Sequence, residues 1–384
     1  VPVEGVRRPA WAQISRGALR HNLSVLRTVL GSSVVCAVVK ANGYGHGAVV
    51  AAQTLSEAGA AGLAVAIVDE GVELRAANLT DPILLLSEVP ADTVRDALEE
   101  SLTLTVGSLD GAHAIKDAAR HLGGRNRVHI KVDTGMHRMG IAPRELDDVL
   151  DVLTSVPSIV IEGMYTHFAA ADSSDEADRE FCALQMTRFD EVVARAAARG
   201  VTPPVLHTAN SAAALGIPSA RRSMSRVGLA LYGHLPDPSL QAVLDAHGLA
   251  LRPALSLRAR VTAVRHLSAG ERPSYGRRRP LPADATVATV PFGYADGYPR
   301  RLFDAGAEVL INGRRHPLAG TVTMDQLVID CDDSAVNVGD EVVLLGRQGN
   351  DVITAETWAH WSNTITWEIL CGIGARVPRV VVDE

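Results

Sequence analysis

Lysine is nearly missing from this chain. Of 37 basic residues only Lys40, Lys116 and Lys131 are lysines, so chemistry that needs an amine nucleophile has three candidates. Cysteine is scarce as well: Cys36, Cys182, Cys331 and Cys371 are widely spaced and form no Cys-x-x-Cys pair, which fits a reduced, cytoplasmic protein. Long apolar runs are lacking. The longest, Ala58–Val68 with its glycines counted, falls well short of the roughly 18 residues a membrane span needs. Val1 to Arg8 carries no apolar signal core, so no secretory segment is expected. Nor is there an excess of positive charge: a formal net charge of −7 argues against a general nucleic-acid binder.

What the chain does have is length and apolar content. Its 384 residues suggest two or three domains at about 150 residues each. With 47% apolar and 21% charged residues it can build an extensive core.

Between Ser33 and Gly233 short apolar runs alternate with helical patterns. The predicted strands are Val34–Lys40, Gly62–Val68, Pro82–Ser87, Thr103–Val106, Arg127–Asp133, Val160–Phe168, Pro204–Thr208 and Ser225–Tyr232. Among the predicted helices, Ala142–Val156 sets Leu146, Val149, Leu150 and Leu153 near the 3.6 period. Glu176–Ala198 does the same with Phe181, Leu184, Phe189 and Val192 before Gly200. Eight β-then-α units in about 200 residues fit a closed (β/α)8 barrel, with a doubly wound open sheet as the alternative.

Past Leu249 the pattern alternates instead. Leu255, Leu257, Ala259, Val261 and Ala263 predict a strand with one buried face. Asn312-Gly313, between Ala307–Ile311 and His316–Gly320, signals a hairpin, and Val322–Ile329 and Asp340–Leu345 read as further strands. The expected fold class is α/β: a TIM-type (β/α)8 barrel over residues 1–245, then a smaller, mostly β domain over 246–384. A strand from the N-terminal segment is expected to pack on the β domain.

Lys40 ends an apolar strand and precedes Ala-Asn-Gly-Tyr-Gly-His-Gly. An amine at the end of a buried strand is partly desolvated, which favours Schiff-base formation, and the mouth of a barrel is where active sites of that fold lie. A strand-end lysine reaching solvent before an ordinary glycine turn is the plainer reading. Lys131, in Val-His-Ile-Lys-Val-Asp, shares a strand face with His129 and Asp133 and should turn into the barrel, where it needs a carboxylate-like partner. A structural ion pair would also explain it. Arg138 follows at the strand's exit, whereas Lys116 reads as a solvated helix residue.

His167, near a strand end, points either into the barrel mouth or into a structural hydrogen bond. Asn210 and Ser211 lie where a loop feeds a short helix, a setting that holds phosphate well, although capping alone would explain Ser211. Arg226 and Gly228 on the eighth strand complete that neighbourhood. Ser274-Tyr275-Gly276 and Gly293-Tyr294-Ala295-Asp296-Gly297-Tyr298 put phenols beside glycines in loops, where they serve as acids or bases or simply form turns. The run Arg277–Arg279 reads as a solvated charge cluster.

Together these segments resemble the alanine racemases, pyridoxal-phosphate enzymes built from a barrel and a β domain. The resemblance runs from Arg8-Pro9-Ala10-Trp11-Ala12 to Arg376-Val377-Pro378-Arg379. Its most specific pieces are Ala37 to Gly47 and Gly293-Tyr294-Ala295-Asp296-Gly297. Lys131 to Gly140, Tyr165-Thr166-His167-Phe168, His207 to Ala212 and Met324-Asp325-Gln326 follow in order.

The resemblance implies that Lys40 carries pyridoxal 5'-phosphate and acts as one of two bases, with Tyr275 of a partner subunit as the other. It implies that Arg226 faces the cofactor's ring nitrogen and that Arg138 faces its phenolic oxygen and the substrate carboxylate. Lys131 matches a position that is often carbamylated. Tyr44, Ser211, Gly228 and Leu229 look like phosphate contacts, with Asn210 beside them. His167 would bond Arg226 or pack on the ring, and Met324 would reach the substrate carboxylate from the other subunit. The substrate implied is alanine, the assembly a homodimer with composite sites, and the role D-alanine supply for cell-wall peptidoglycan. Two departures stand out: Trp367 replaces a tyrosine that contacts the phosphate, and Thr321 replaces an arginine near the substrate corridor. A preference shifted toward serine, and a cofactor-binding protein without turnover, are the alternatives.

Overall fold

The structure is a computed structural model and describes residues 7–384; residues 1–6, which hold most of the segment read for a signal core, lie outside the described residues. The chain divides into two compact units. The larger takes Ala18–Tyr44 and Ala48–Arg252, and the smaller takes the chain up to Gly17, Gly45–Gly47 and Pro253–Glu384. Packing therefore does not follow a single cut after residue 245. The first strand, β1 (Ala10–Ser15), belongs with the smaller unit because it pairs there.

The larger unit holds β2 (Val34–Val38), β3 (Gly62–Val65), β4 (Ile83–Leu85), β5 (Leu104–Val106), β6 (Asn126–Lys131), β7 (Ile159–Tyr165), β8 (Val205–His207) and β9 (Met224–Val227). Their ladders are all parallel, in the orders β4-β3-β2-β9 and β5-β6-β7-β8. Backbone hydrogen bonds close both seams. Leu85 N donates to Thr103 O at 2.9 Å and Thr103 N to Ile83 O at 2.8 Å; Ser223 N donates to Leu206 O at 3.2 Å and Arg226 N to Ala209 O at 3.0 Å. The strands form a closed barrel, and the open-sheet alternative is set aside.

Helices on the outside supply the packing layer. Leu146–Thr154 buries Leu146, Val149, Leu150, Val152 and Leu153 as its period demands. In Glu176–Ala198 the buried stripe is Cys182, Gln185, Phe189, Val192 and Ala196, while Leu184 stays 43% exposed. Phe189 and Val192 are buried as expected, but in the first turns the buried face passes to Cys182 and Gln185, whose amide ties the loops after β6 and β7 together.

Most predicted barrel strands are shorter than expected, and in two the difference matters for the site. The eighth ends at Val227; Gly228 then turns the chain, and Leu229–Tyr232 is a 3-10 turn. β7 stops at Tyr165, which leaves Thr166, His167 and Phe168 free to line the barrel mouth.

The smaller unit adds β10 (Leu255–Arg260), β11 (Ala263–Leu267), β12 (Ala285–Val290), β13 (Glu308–Ile311), β14 (Arg314–Pro317), β15 (Leu327–Asp330), β16 (Glu341–Gln348), β17 (Asp351–Ile353) and β18 (Arg379–Val382). One sheet runs β14-β13-β16-β10-β1-β18 with β17 on β16, and a second runs β11-β12-β15. The alternating run from Leu255 to Ala263 is therefore two strands in two sheets, broken where Val261 N and Thr262 N turn to Asp340 O and Thr289 O. Asn312 (φ 50) and Gly313 (φ 76) make the expected hairpin turn with both residues left-handed. Val322–Ile329 is strand only from Leu327 onward, because Thr323 and Gln326 bond each other and pinch the preceding residues into a loop. No helix of the described residues is long and apolar enough to cross a membrane.

Candidate active site

At the C-terminal mouth of the barrel, Lys40 follows β2 and is half-buried. The backbone after it has positive φ for five residues: Ala41 (φ 52), Asn42 (φ 52), Gly43 (φ 59), Tyr44 (φ 52) and Gly45 (φ 80). Each non-glycine residue there costs roughly 1–2 kcal/mol, so specific bonds must hold the turn. Gly43 N donates to Val39 O at 2.8 Å, Ala41 N to Glu70 Oε1 at 2.6 Å, and Ala48 N to Asn42 Oδ1 at 2.9 Å. This is no ordinary glycine turn. It fixes the chain on both sides of the lysine.

The same turn carries Tyr44 across the mouth. Its ring stacks on Tyr232 at 4.9 Å, and its hydroxyl lies against Gly228 so closely that a Cβ there would sit 2.2 Å from the oxygen. Ser211 Oγ accepts from Gly228 N at 3.0 Å and Ala230 N at 3.5 Å. The helix Ser211–Gly216 is capped by Asn210, whose Oδ1 accepts from Ala213 N at 2.9 Å. Capping thus belongs to Asn210 and not to Ser211, so the alternative explanation of Ser211 as a cap is set aside. Tyr44, Ser211, Gly228 and the buried Leu229 converge on one small cradle of hydroxyls and backbone N–H groups, the donor set that suits a phosphate.

Deeper in the barrel Arg226 is buried without a carboxylate beside it. Nη1 donates to His207 Nδ1 at 2.7 Å and His207 O at 3.1 Å; Nη2 donates to Thr166 O at 2.9 Å, Thr208 O at 3.2 Å and His167 Nδ1 at 3.2 Å. Its guanidinium lies over the Tyr165 ring, 4.9 Å from the centroid. Burial lowers Arg226 to about 10, so it stays charged at neutral pH. A guanidinium only donates. Both imidazoles must therefore accept at Nδ1, and burial together with the Arg226 charge holds His207 and His167 well below the usual histidine range.

Strand-end histidines thus form a chain. His207 Nε2 is left to donate to His129 Nδ1, 2.8 Å away, and His129 Nε2 faces Glu162 Oε2 at 3.5 Å, an ion-pair distance and not a formed hydrogen bond. Glu162 also meets Arg127 at 3.1 Å. His129 and Glu162 border a cavity of about 240 Å³ at the opposite, N-terminal end of the strands, with Cys36, Leu84 and Met224 among its walls. His129 was legible only as a neighbour of Lys131 on its strand face, and His207 only as the start of a motif block. Neither carried an assigned role.

Lys131 does turn into the barrel, with Nζ 5.7 Å from the Tyr165 centroid. Desolvation, then the charges of Arg138 and Arg226, push it down to about 8, with Lys40 adding to the effect and Asp133 opposing it. The expected structural ion pair is therefore weak: cations outnumber the one acid. Asp133 instead spends its carboxylate on Gly135 N at 2.9 Å and His137 N at 3.1 Å, shaping the loop that presents Arg138.

In the smaller unit Tyr275 is 72% exposed and Met324 52% exposed. Thr321, expected beside a corridor, is buried, and its hydroxyl donates to Tyr275 O at 2.9 Å. The glycine-rich run Gly293–Gly297 proves to be a clasp for the Met324 loop. Tyr294 N donates to Thr323 O at 3.0 Å and Ala295 N to Met324 O at 3.1 Å. Beneath it the fully buried Asp296 takes both Nη atoms of Arg8, at 3.1 and 2.6 Å, and Arg376 at 2.9 Å. Arg376 then reaches Asp325 at 2.6 Å. Of the phenols in this run, Tyr298 is core, packed edge-on against Trp358 at 4.7 Å, and is pushed up by burial out of the range of acid–base work. Trp367 is half-buried on the helix Thr366–Cys371. A Cβ at Gly45 would come 2.1 Å from Leu370 O on that helix.

The larger unit thus presents one half-buried lysine, an anion cradle and a cluster of cations at a single barrel mouth. Family models for the alanine racemase N-terminal domain and C-terminal domain match residues 14–236 and 254–381. The alanine racemase of Symbiobacterium thermophilum is 43% identical over 98% of this chain and 98% of its own. The alanine racemase structure from Bacillus anthracis with bound L-Ala-P covers 100% of this chain and 96% of its own, at 36% identity and a TM-score of 0.91. A histidine racemase from Leuconostoc mesenteroides superposes with a TM-score of 0.89 at 28% identity, covering 98% of both chains.

Proposed function

The chain belongs to the alanine racemase family, and from that membership we propose that it interconverts L- and D-alanine by a two-base reaction dependent on pyridoxal 5'-phosphate. The observation that carries the cofactor reading is the group of donors on the chain after Lys40 and around Gly228: the Tyr44 hydroxyl packs so close to Gly228 that a Cβ would lie 2.2 Å from it, and Ser211 Oγ accepts from Gly228 N. When bound, the cofactor supplies an electron sink for negative charge at the substrate's α-carbon.

This chain's residues do the rest. Tyr44, Ser211, Gly228 and Leu229 hold the phosphate, and Asn210 fixes the helix end that presents Ser211. Arg226 would face the ring nitrogen and, since a guanidinium so rarely gives up its proton, would leave that nitrogen unprotonated. Arg138 binds the phenolic oxygen and the substrate carboxylate, and His167 holds Arg226 from the mouth side. Lys40 would move the α-proton on one face, and Tyr275 would move it on the other. Racemisation needs both, because a proton must leave one face and return to the opposite one.

Tyr275 and Met324 act, in this reading, in the site of a second copy of the chain. The larger unit serves as the cofactor-binding domain and the smaller unit as the donor to the partner's site, in a two-fold homodimer. The product supplies D-alanine for peptidoglycan in the cytoplasm. Lys131, pushed down to about 8, is primed to take up carbon dioxide as a carbamate, which turns a misplaced cation into the anionic partner of Arg138.

Trp367 supports a second reading, a preference shifted toward serine. Indole donates but does not accept and is bulkier than phenol, so the pocket it borders differs in shape and polarity. Chiral analysis of the protein incubated with pyridoxal phosphate and either L-alanine or L-serine separates the two. Rapid D-alanine with little D-serine supports the alanine reading, dominant D-serine the second, and no D-product in either case rejects both.

A further inference from the structure

We propose that Thr321 and Ser274 form a reciprocal latch that aims Tyr275, which makes Thr321 a positioning residue for proton transfer at the phenol. The inference rests on the reading of Tyr275 as one of the two bases. Ser274 Oγ donates to Thr321 O at 2.6 Å, and Thr321 Oγ1 donates to Tyr275 O at 2.9 Å. Two hydroxyls therefore tie two consecutive residues to a single buried anchor, which is 1% exposed.

The backbone they hold is not one the chain adopts unaided. Ser274 has φ 69 and ψ −175, a combination that only glycine takes readily, and Gly276 (φ 75) and Arg277 (φ 45) are left-handed as well. Strain of that kind persists only where the surroundings over-determine it. Here the two segments press together: a Cβ at Gly320 would lie 2.3 Å from Pro273 O and 2.8 Å from Ser274 Cβ. Arg279 adds a bond from its guanidinium to Leu318 O on the same segment.

The consequence falls on the phenol. Within its own chain Tyr275 is 72% exposed, so what this chain contributes to aiming the phenol comes through the backbone, which the latch grips at the tyrosine carbonyl. A base must hold its reacting oxygen to within a fraction of an ångström, so loosening this grip costs rate before it costs binding.

Thr321→Val keeps the shape and removes the donor, while Thr321→Ser keeps the donor. In the cofactor-loaded enzyme Thr321→Val is expected to lower kcat about ten- to a hundredfold with little change in KM. It should also raise the primary isotope effect for α-deuterated alanine of one enantiomer only, the one whose proton Tyr275 takes. Thr321→Ser should restore both. A kcat loss with equal isotope effects for the two enantiomers, a rise in KM alone, or wild-type behaviour overturns the latch. Should Thr321→Val fail to fold, Ser274→Ala removes the other half and carries the same expectation for the isotope effect. Tyr275→Phe separates the latch from its premise. If that variant racemises normally, the base assignment falls and takes the latch with it; if it is inactive while Thr321→Val is normal, the latch falls alone.

Discussion

His207 accepts a hydrogen bond from Arg226 at Nδ1, 2.7 Å away, and this one contact dictates the tautomer of the next imidazole. Because arginine never accepts, His207 keeps its proton on Nε2 and passes it toward His129 Nδ1 at 2.8 Å. The direction of the chain from Arg226 to Glu162 is thus set from its buried end.

Nitrogen NMR should show His207 protonated at Nε2 and uncharged across the range of about pH 5 to 8 in which histidine ordinarily titrates. Folded His129, His167 and His207 all lie below the ordinary value of 6.5. As pH falls through that value the unfolded chain takes up protons first, so stability is full above it and declines in acid. Thermal melts between pH 8 and 5 should track this loss, and a flat profile would contradict the buried neutral chain.

Lys131 should acquire carbon dioxide. With the amine lowered to about 8, a large neutral fraction exists at mildly alkaline pH. Carbon NMR with labelled bicarbonate is expected to show one carbamate signal that grows as pH rises through that value and is missing in Lys131→Gln. A signal that survives the substitution assigns the carbamate elsewhere.

Gly228→Ala should close the cradle. The added carbon would lie 2.2 Å from the Tyr44 hydroxyl, so Tyr44 must move or the loop must shift. Cofactor affinity, measured by fluorescence titration, should fall at least about tenfold, while overpacking costs the fold about 1–3 kcal/mol. Unchanged affinity would mean that the phosphate lies elsewhere.

Asp296→Ala leaves two arginines facing a buried gap. Breaking a buried pair costs about 3–5 kcal/mol, and because Arg8 and Arg376 reach solvent the loss here should be nearer 2–3 kcal/mol. Urea titration followed by Trp358 fluorescence reads it. The Met324 loop should also become more susceptible to protease, since Arg376 no longer links it to the core through Asp325.

The barrel was legible because its strands are unbroken apolar runs and its helices keep a clear period. Boundaries were not legible where a side chain overrides the pattern. Gly228 looks like strand until its N–H is seen turned to Ser211, and Leu184 looks like core until Gln185 is seen spending its amide on two loops. Lys40, Lys131, His167 and Arg226 stood out as candidates by residue type and position, whereas Tyr44 entered only through the family resemblance. The supporting residues were not legible. His207, Glu162 and Asp296 act through partners dozens or hundreds of positions away, such as the pairing of Asp296 with Arg8, and no local spacing records that. Thr321 showed only as a lost charge, and its hydrogen bond to Tyr275 needed the fold.

The cluster of cations at the barrel mouth bears on how the protein persists in a cell. Lys131 sits among the charges of Arg138, Arg226 and Lys40 with Asp133 opposing them, so the protein without its ligand carries electrostatic pressure at this mouth. A bound polyanion relieves that pressure, and a ligand held at a hundred times its Kd adds about 2.7 kcal/mol of stability. On the proposed cofactor dependence, cofactor supply and protein lifetime would be coupled: with little cofactor present the protein should lose abundance through unfolding and degradation as well as activity.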